Sequence, residues 1–450
     1  MTLTHKSKHM LLRVLVVVLI FSVMNAFIFN IALPLIQAEF ALTSAQISWV
    51  ISSYMMIYAI GTVLYGKLAD IFSLRLLIQI GLIILAIGSL IGLFALNYPM
   101  VIISRMLQAA GAAVIPTISM IVPARFFPEA ERGRAIGTLA IGMALGTALG
   151  PIISGIVAEI VNWRLLFTLS FIPLITLPLL RKYLPDLDNR TSKSIDYLGA
   201  CFLTATIAFV VLTITNYSLT FVALFAISAI LLIIRINTYH TPIVVPSLFM
   251  NKRYSFMLFI TFLTAALLFA LTFATPLFLD DIQDLTPLLI GLVLFPSAVI
   301  AALLGKKAGK LADVFGNSVV FYLSISCLGI CYLLLSIFVS IHPIWIAIFL
   351  IFGNIGVTFI RVALTNTISQ TLPKESLGIG MGFFTMFNFI AGAVATSVIG
   401  LLLGTQLFSN ISIFSFIQTA NETRYSNVFL ILTFTACFTA LLYMLIRKTK

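Results

Sequence analysis

The chain has 450 residues, of which 61% are hydrophobic and 9% are Asp, Glu, Lys or Arg. Soluble domains carry about 25% charged residues, so this composition excludes a water-soluble globule and makes the bilayer the natural solvent. A net charge of +12 would suggest nucleic acid in a soluble protein, but in a membrane protein it marks the basic side, and no nucleic-acid partner is expected.

A spanning helix takes about 20 residues. Apolar runs of that length fall at roughly 11–36, 46–66, 75–95, 99–121, 134–158 and 163–181. Two more follow at 196–215 and 219–235, then six at 254–279, 287–305, 318–340, 343–366, 376–403 and 426–446. The pattern predicts an all-α polytopic membrane protein with fourteen transmembrane helices. Residues 1–182 form an N-terminal six-helix bundle, 183–250 a linker with two additional helices, and 251–450 a C-terminal six-helix bundle. The first run continues past Ile31, too long for a signal-peptide core, and is expected to stay as the first span. Prolines at 173, 178 and 276 break the ends of their runs.

Charge placement tests this count. With the N-terminus inside and the spans alternating, 22 of the 26 Lys and Arg fall on the inner side. Arg164 and Arg424 fall outside, while Arg105 and Arg361 lie within spans. One miscounted span would scramble every later loop, so the asymmetry supports the topology and places both termini in the cytoplasm. The expected location is the plasma membrane, and the short loops suggest a bacterial chain.

Gly66-Lys67-Leu68-Ala69-Asp70 recurs as Gly309-Lys310-Leu311-Ala312-Asp313, followed by Ile71-Phe72 and Val314-Phe315. Each copy reads as a short charged loop between apolar runs, which implies two structurally related halves. Arg105 begins a stretch containing Gln108 and Gly111 in the fourth span. A buried arginine costs at least about 2.5–3.5 kcal/mol on insertion scales. It therefore needs a cavity or a partner, unless it snorkels to the outer interface. The fifth span carries Gly142, Gly146, Gly150-Pro151 and Gly155. These small residues clear a helix face for close packing, and the proline permits a bend. Cys201, Cys327, Cys331 and Cys437 all sit inside apolar runs and read as packing residues. No metal site and no cofactor is expected.

Together these residues resemble the major facilitator superfamily. The carriers are Gly66-to-Asp70 with Arg75, Arg105-x-x-Gln108, and Gly146-x-x-x-Gly150-Pro151-x-x-Ser154-Gly155. The last is similar to that superfamily's antiporter signature. Asn25-to-Pro34, Trp163-Arg164 and the extra central pair look like its fourteen-span drug:proton antiporter branch, which includes tetracycline and quaternary-ammonium multidrug exporters. The resemblance implies a cytoplasmic latch at Gly66, Asp70 and Arg75, echoed by Gly309 and Asp313. It implies proton coupling through Arg105 and a hinge at Gly146, Gly150, Pro151 and Gly155. Departures exist: Ser73 replaces an expected glycine, and Asn25 stands where many relatives carry an acid.

No carboxylate lies mid-membrane, so the candidates for proton exchange are acids at the outer ends, Asp280, Asp281, Glu159 and Glu39, each of which reads equally well as a solvated outer-loop acid. Polar groups inside spans are candidate cavity residues: Asn25, Asn30, Tyr54, Tyr58, Gln108, Asn354, Arg361 and Asn388. Each serves equally well as an interhelical hydrogen-bonding group. Arg361 is read as about five residues from the inner end of its span, either snorkelling inward or lining the cavity. The implied activity is export of hydrophobic or cationic drugs in exchange for protons, by a monomer in the lipid bilayer. The alternative is a dedicated exporter of one antibiotic or metabolite such as tetracycline. A membrane-embedded enzyme would need clustered catalytic groups, and His5, His9, His240 and His342 are scattered. A non-transporting scaffold would not require the fifth-span pattern.

Overall fold

The computed structural model describes residues 5–448 apart from 70, 186–195, 217, 241, 243, 245, 373–376, 406–412 and 415–418. Among the described residues every regular element is helical. Fourteen helices are long and apolar enough to cross a membrane, in the expected order. They are α1 (Ser7–Glu39), α2 (Ser44–Leu68), α3 (Leu74–Leu93), α4 (Tyr98–Pro123), α5 (Ala135–Ile160) and α6 (Trp163–Tyr183). The central pair is α7 (Tyr197–Asn216) and α8 (Leu219–Thr238). The last six are α9 (Lys252–Asp281), α10 (Pro287–Gly305), α11 (Asn317–Ile337), α12 (Pro343–Thr371), α13 (Gly380–Gly404) and α14 (Ala420–Leu445). An even number of crossings puts the two ends of the chain on one side, called here the basic side.

Local sequence sets the ends. Thr43 and Gln46 form a reciprocal capping box at the start of α2. Asn97 and Asn251 cap α4 and α9 by accepting from the Met100 and Tyr254 backbone N–H groups. Two expectations change. The helix of α10 runs on through Gly309 to Phe315 and stops at Gly316, whose φ of 85° suits a residue without a Cβ. The second charged pentapeptide is therefore the last turns of a helix, not a loop. Pro276 lies inside one continuous helix over Lys252–Asp281 and does not break it. Around Pro173 and Pro178, by contrast, α6 is divided into a 3-10 stretch and two short helices. One break was not anticipated: α1 is interrupted at Ile28, between helices ending at Phe27 and starting at Phe29.

The two halves meet where α2 packs on α13, α5 on α10, and the second segment of α1 on α9. On the side away from the termini the approach is close. A Cβ on Gly155 would lie 2.6 Å from the Pro287 carbonyl oxygen, and one on Gly400 would lie 2.6 Å from that of Ser44. Toward the basic side the helices part: a Cβ on Gly66, Gly137, Gly309 or Gly382 would meet nothing within 4 Å. The interface is thus shut at one end and open at the other. The additional pair is placed by α7, which touches both α2 and α13 and so straddles the seam. At its basic end Asp196 is 1% exposed and accepts from Arg235 Nε at 2.8 Å. Lys67 donates from Nζ to the Pro242 carbonyl at 2.5 Å, tying the end of α2 to the segment after α8.

Candidate substrate pathway and gate

Arg105 is fully buried on α4. Its guanidinium donates to the Val50 carbonyl (3.3 Å), the Asn25 carbonyl (3.3 Å) and Gln108 Oε1 (2.8 Å). It also lies over the Tyr54 and Phe29 rings, at 4.1 and 4.4 Å from their centroids. It does not snorkel. Gln108 passes the connection on, donating to Ser89 Oγ (2.8 Å) and Ser170 Oγ (3.1 Å). One polar knot therefore joins α1, α2, α3, α4 and α6, with no carboxylate among its contacts with the described residues. Close to it, Asn25 Oδ1 and Nδ2, Tyr54 Oη and Arg105 Nη2 are buried without a hydrogen-bond partner among the described residues.

Aromatic rings carry this knot to the seam. Tyr54 stacks on Tyr58 (5.6 Å), Tyr58 meets Phe389 (4.4 Å), and Phe389 meets Phe269 (6.1 Å), which stacks on Phe27 (6.0 Å). These residues come from α1, α2, α9 and α13, two helices from each half. Asn25, Tyr54, Tyr58 and Gln108 are thus brought together. Asn30, Asn354 and Asn388 are not part of that group. Asn30 is buried on the second segment of α1 with Oδ1 unpaired. Asn354 donates to Ser297 Oγ of α10 (2.9 Å), and Asn388 to the Phe384 carbonyl one turn back (2.8 Å). Arg361 is exposed on α12. Its helix extends to Thr371, so the inner end is ten positions away rather than five.

The glycines of α5 divide their work. A Cβ on Gly146 would lie 2.5 Å from the Ile20 carbonyl oxygen, so this residue packs α5 on α1 within the first half. Pro151 and Gly155 face α10 across the seam, where a Cβ on Gly291 would lie 2.8 Å from the Pro151 carbonyl oxygen. Gly150 is looser, 3.8 Å from the Met24 side chain. Ser154 donates to the Ile28 carbonyl at the break in α1.

The four acids take three different positions. Glu159 reaches across the seam: Oε2 accepts from the Leu288 N–H, at 2.7 Å, in the first turn of α10. Glu39 is held inside the first half by Arg164 (2.6 and 3.0 Å) and Trp163 Nε1 (2.7 Å). Asp281 accepts from the Tyr425 hydroxyl at 2.5 Å within the second half, with Asp280 beside it. Across the other seam Ser52 Oγ lies 2.9 Å from both Thr396 Oγ1 and Ser397 Oγ. Sequence reading did not single out this hydroxyl cluster, and a serine mid-span carries no signal for its distant partner.

Of the residues assigned to the latch, Asp70 lies outside the described residues. Arg75 donates from Nε and Nη2 to the Leu184 carbonyl (2.8 and 2.6 Å), which fastens α3 to the end of α6. Asp313 is exposed near the end of the α10 helix. Gly66 and Gly309 both border the open side of the seam.

Comparison with known proteins agrees with this architecture. The chain is 26% identical over 402 residues to the riboflavin transporter RibZ of Clostridioides difficile (strain 630), covering 87% of each protein. It is 22% identical over 400 residues to the multidrug efflux pump SdrM of Staphylococcus aureus (strain N315), covering 87% of this chain and 89% of that one. Among solved structures, a bacterial homologue of the human lysosomal transporter Spinster superposes with a TM-score of 0.71 at 13% identity. That match covers 99% of this chain and 98% of the other. A match of residues 15–396 to the model of the Major Facilitator Superfamily, in a chain with fourteen helices long and apolar enough to cross a membrane, identifies the chain as a member of that family of membrane transporters.

Proposed function

We propose that the protein exports small, largely apolar organic solutes from the cell in exchange for protons, by rocking its two halves about the seam. The observation that carries this is the seam itself, closed by backbone-level contacts on one side and open on the other. Alternating access requires such an interface to be remade on the opposite side. With the termini in the cytoplasm of a plasma-membrane protein, the open side is the cytoplasmic one, where an exporter loads. Glu159 is the best-placed of the acids to link a proton to this motion. Its carboxylate holds one of the orphan N–H groups at the positive end of α10, in the other half. Protonation removes that charge and weakens the closure. Glu39 and Asp281 are engaged within single halves, so their protonation bears on the seam less directly.

A second reading, export of one dedicated solute, is favoured by the relation to a riboflavin transporter. The family relation to a multidrug pump favours the broader one. The test is uptake by inverted membrane vesicles under an imposed pH gradient, acid inside, with a panel of unrelated fluorescent solutes. Uptake of several members that stops when the gradient is collapsed is expected, and Glu159→Gln should reduce it. Uptake indifferent to the gradient would contradict proton exchange.

A further inference from the structure

Among the described residues, every Asp and Glu lies in a loop or near a span end. The middle of the spans, among the described residues, carries two cations, Arg105 and Arg361, and no carboxylate. Arg105 is buried in its knot. Arg361 is different. It is exposed, yet it lies only four positions beyond Val357, the midpoint of the helix Pro343–Thr371. That is about 6 Å along the axis, well inside a hydrocarbon half-thickness of about 15 Å.

The direction it faces follows from its helical stripe. Asn354 and Thr358 precede it by two turns and one. Asn354 donates to Ser297 of α10, and the Thr358 methyl lies 3.6 Å from where a Cβ on Gly305 of α10 would sit. The stripe therefore runs along α10, the helix that meets α5 at the closed end and parts from it toward the basic side. There the gap between the halves begins. A guanidinium facing lipid at this depth would be strongly disfavoured, whereas one facing the open gap keeps its water.

We infer that the solute preferred by this site is an organic anion whose carboxylate is taken by Arg361 at the open gap between the halves. The guanidinium fork matches a carboxylate in shape as well as charge. A cationic solute meets two fixed positive charges and no mid-membrane acid to balance it. The inference rests on the export reading and narrows it, setting aside the cationic half of the sequence-based expectation.

Equilibrium binding to the purified full chain in lipid nanodiscs tests it, with coumarin-3-carboxylate, its neutral carboxamide and cationic ethidium as probes. The carboxylate should bind about tenfold more tightly than the carboxamide, the size of one charge-assisted hydrogen-bonding contact, and ethidium most weakly. Arg361→Gln should erase the carboxylate preference, and Arg361→Lys should keep part of it. Equal binding of carboxylate and carboxamide, or a preference that survives in a folded Arg361→Gln protein, would overturn the inference. If Arg361→Gln does not fold, the wild-type ranking decides, and ethidium binding as tightly as the carboxylate overturns it. Binding needs no gradient, so the two readings fail separately. Anion preference with gradient-independent uptake removes proton exchange alone, while gradient-driven ethidium uptake without anion preference removes only this inference.

Discussion

Replacing Arg105 with alanine is expected to abolish transport and to destabilise the first six-helix half by about 3 kcal/mol or more. The substitution withdraws the donors that satisfy Gln108 Oε1 and the Asn25 and Val50 carbonyls, and it leaves Tyr54 and Phe29 facing a void. Those groups belong to three different helices, so the loss is felt as a loosening of α1, α2 and α4 against one another. Arg105→Lys is the informative companion. It keeps the charge but presents a point donor where a planar fork is used, so transport should fall by roughly tenfold or more while much of the stability returns. Vesicle uptake and thermal unfolding of the detergent-purified variants give the two readouts. Wild-type uptake by Arg105→Ala would remove the knot from the mechanism.

Gly155→Leu is expected to cut transport by at least about tenfold through a different route. Its Cβ would sit 2.6 Å from the Pro287 carbonyl oxygen and 3.1 Å from the Leu288 Cα, both backbone atoms of the other half. Neither can turn aside as a side chain would. Overpacking of this kind costs about 1–3 kcal/mol, and all of it falls on the state closed on the side away from the termini. The population should shift toward the state open on that side. Labelling of Ser397→Cys by a membrane-impermeant maleimide should rise accordingly when the reagent is added from that side. Gly150→Ala is the control, because its Cβ would meet only the Met24 side chain at an ordinary 3.8 Å. Equal transport by Gly155→Leu and wild type would mean that this closure is not part of the cycle.

What the sequence made legible, and what it hid, divides along physical lines. The fourteen spans could be counted because a bilayer demands only length and apolarity, and both are local properties. Arg105 stood out by its cost in lipid, but the groups that offset that cost come from Asn25, Phe29, Val50 and Tyr54, which no spacing rule connects to it. Glu39 read as an outer acid open to protons. Its ion pair with Arg164 became visible only when α1 and α6 were folded together. The repeated pentapeptide was plain in the sequence, yet one copy ends a span and the other lies within a helix that continues to Gly316. The second copy's helix ends only at Gly316, whose φ of 85° suits a residue without a Cβ. Least legible was the seam. Ser52 and Ser397 are 345 positions apart, and their meeting depends on how the two halves dock.

That docking is also where the rocking mechanism is most exposed to test. In a chain whose Cys201, Cys327, Cys331 and Cys437 are replaced by serine, Ser52→Cys and Ser397→Cys would place two thiols where hydroxyl oxygens now lie 2.9 Å apart. Mild oxidation should cross-link them, and uptake into inverted vesicles should fall in proportion to the cross-linked fraction and return on reduction. Undiminished uptake by fully cross-linked protein would show that α2 and α13 need not separate, and that the halves do not pivot at this seam.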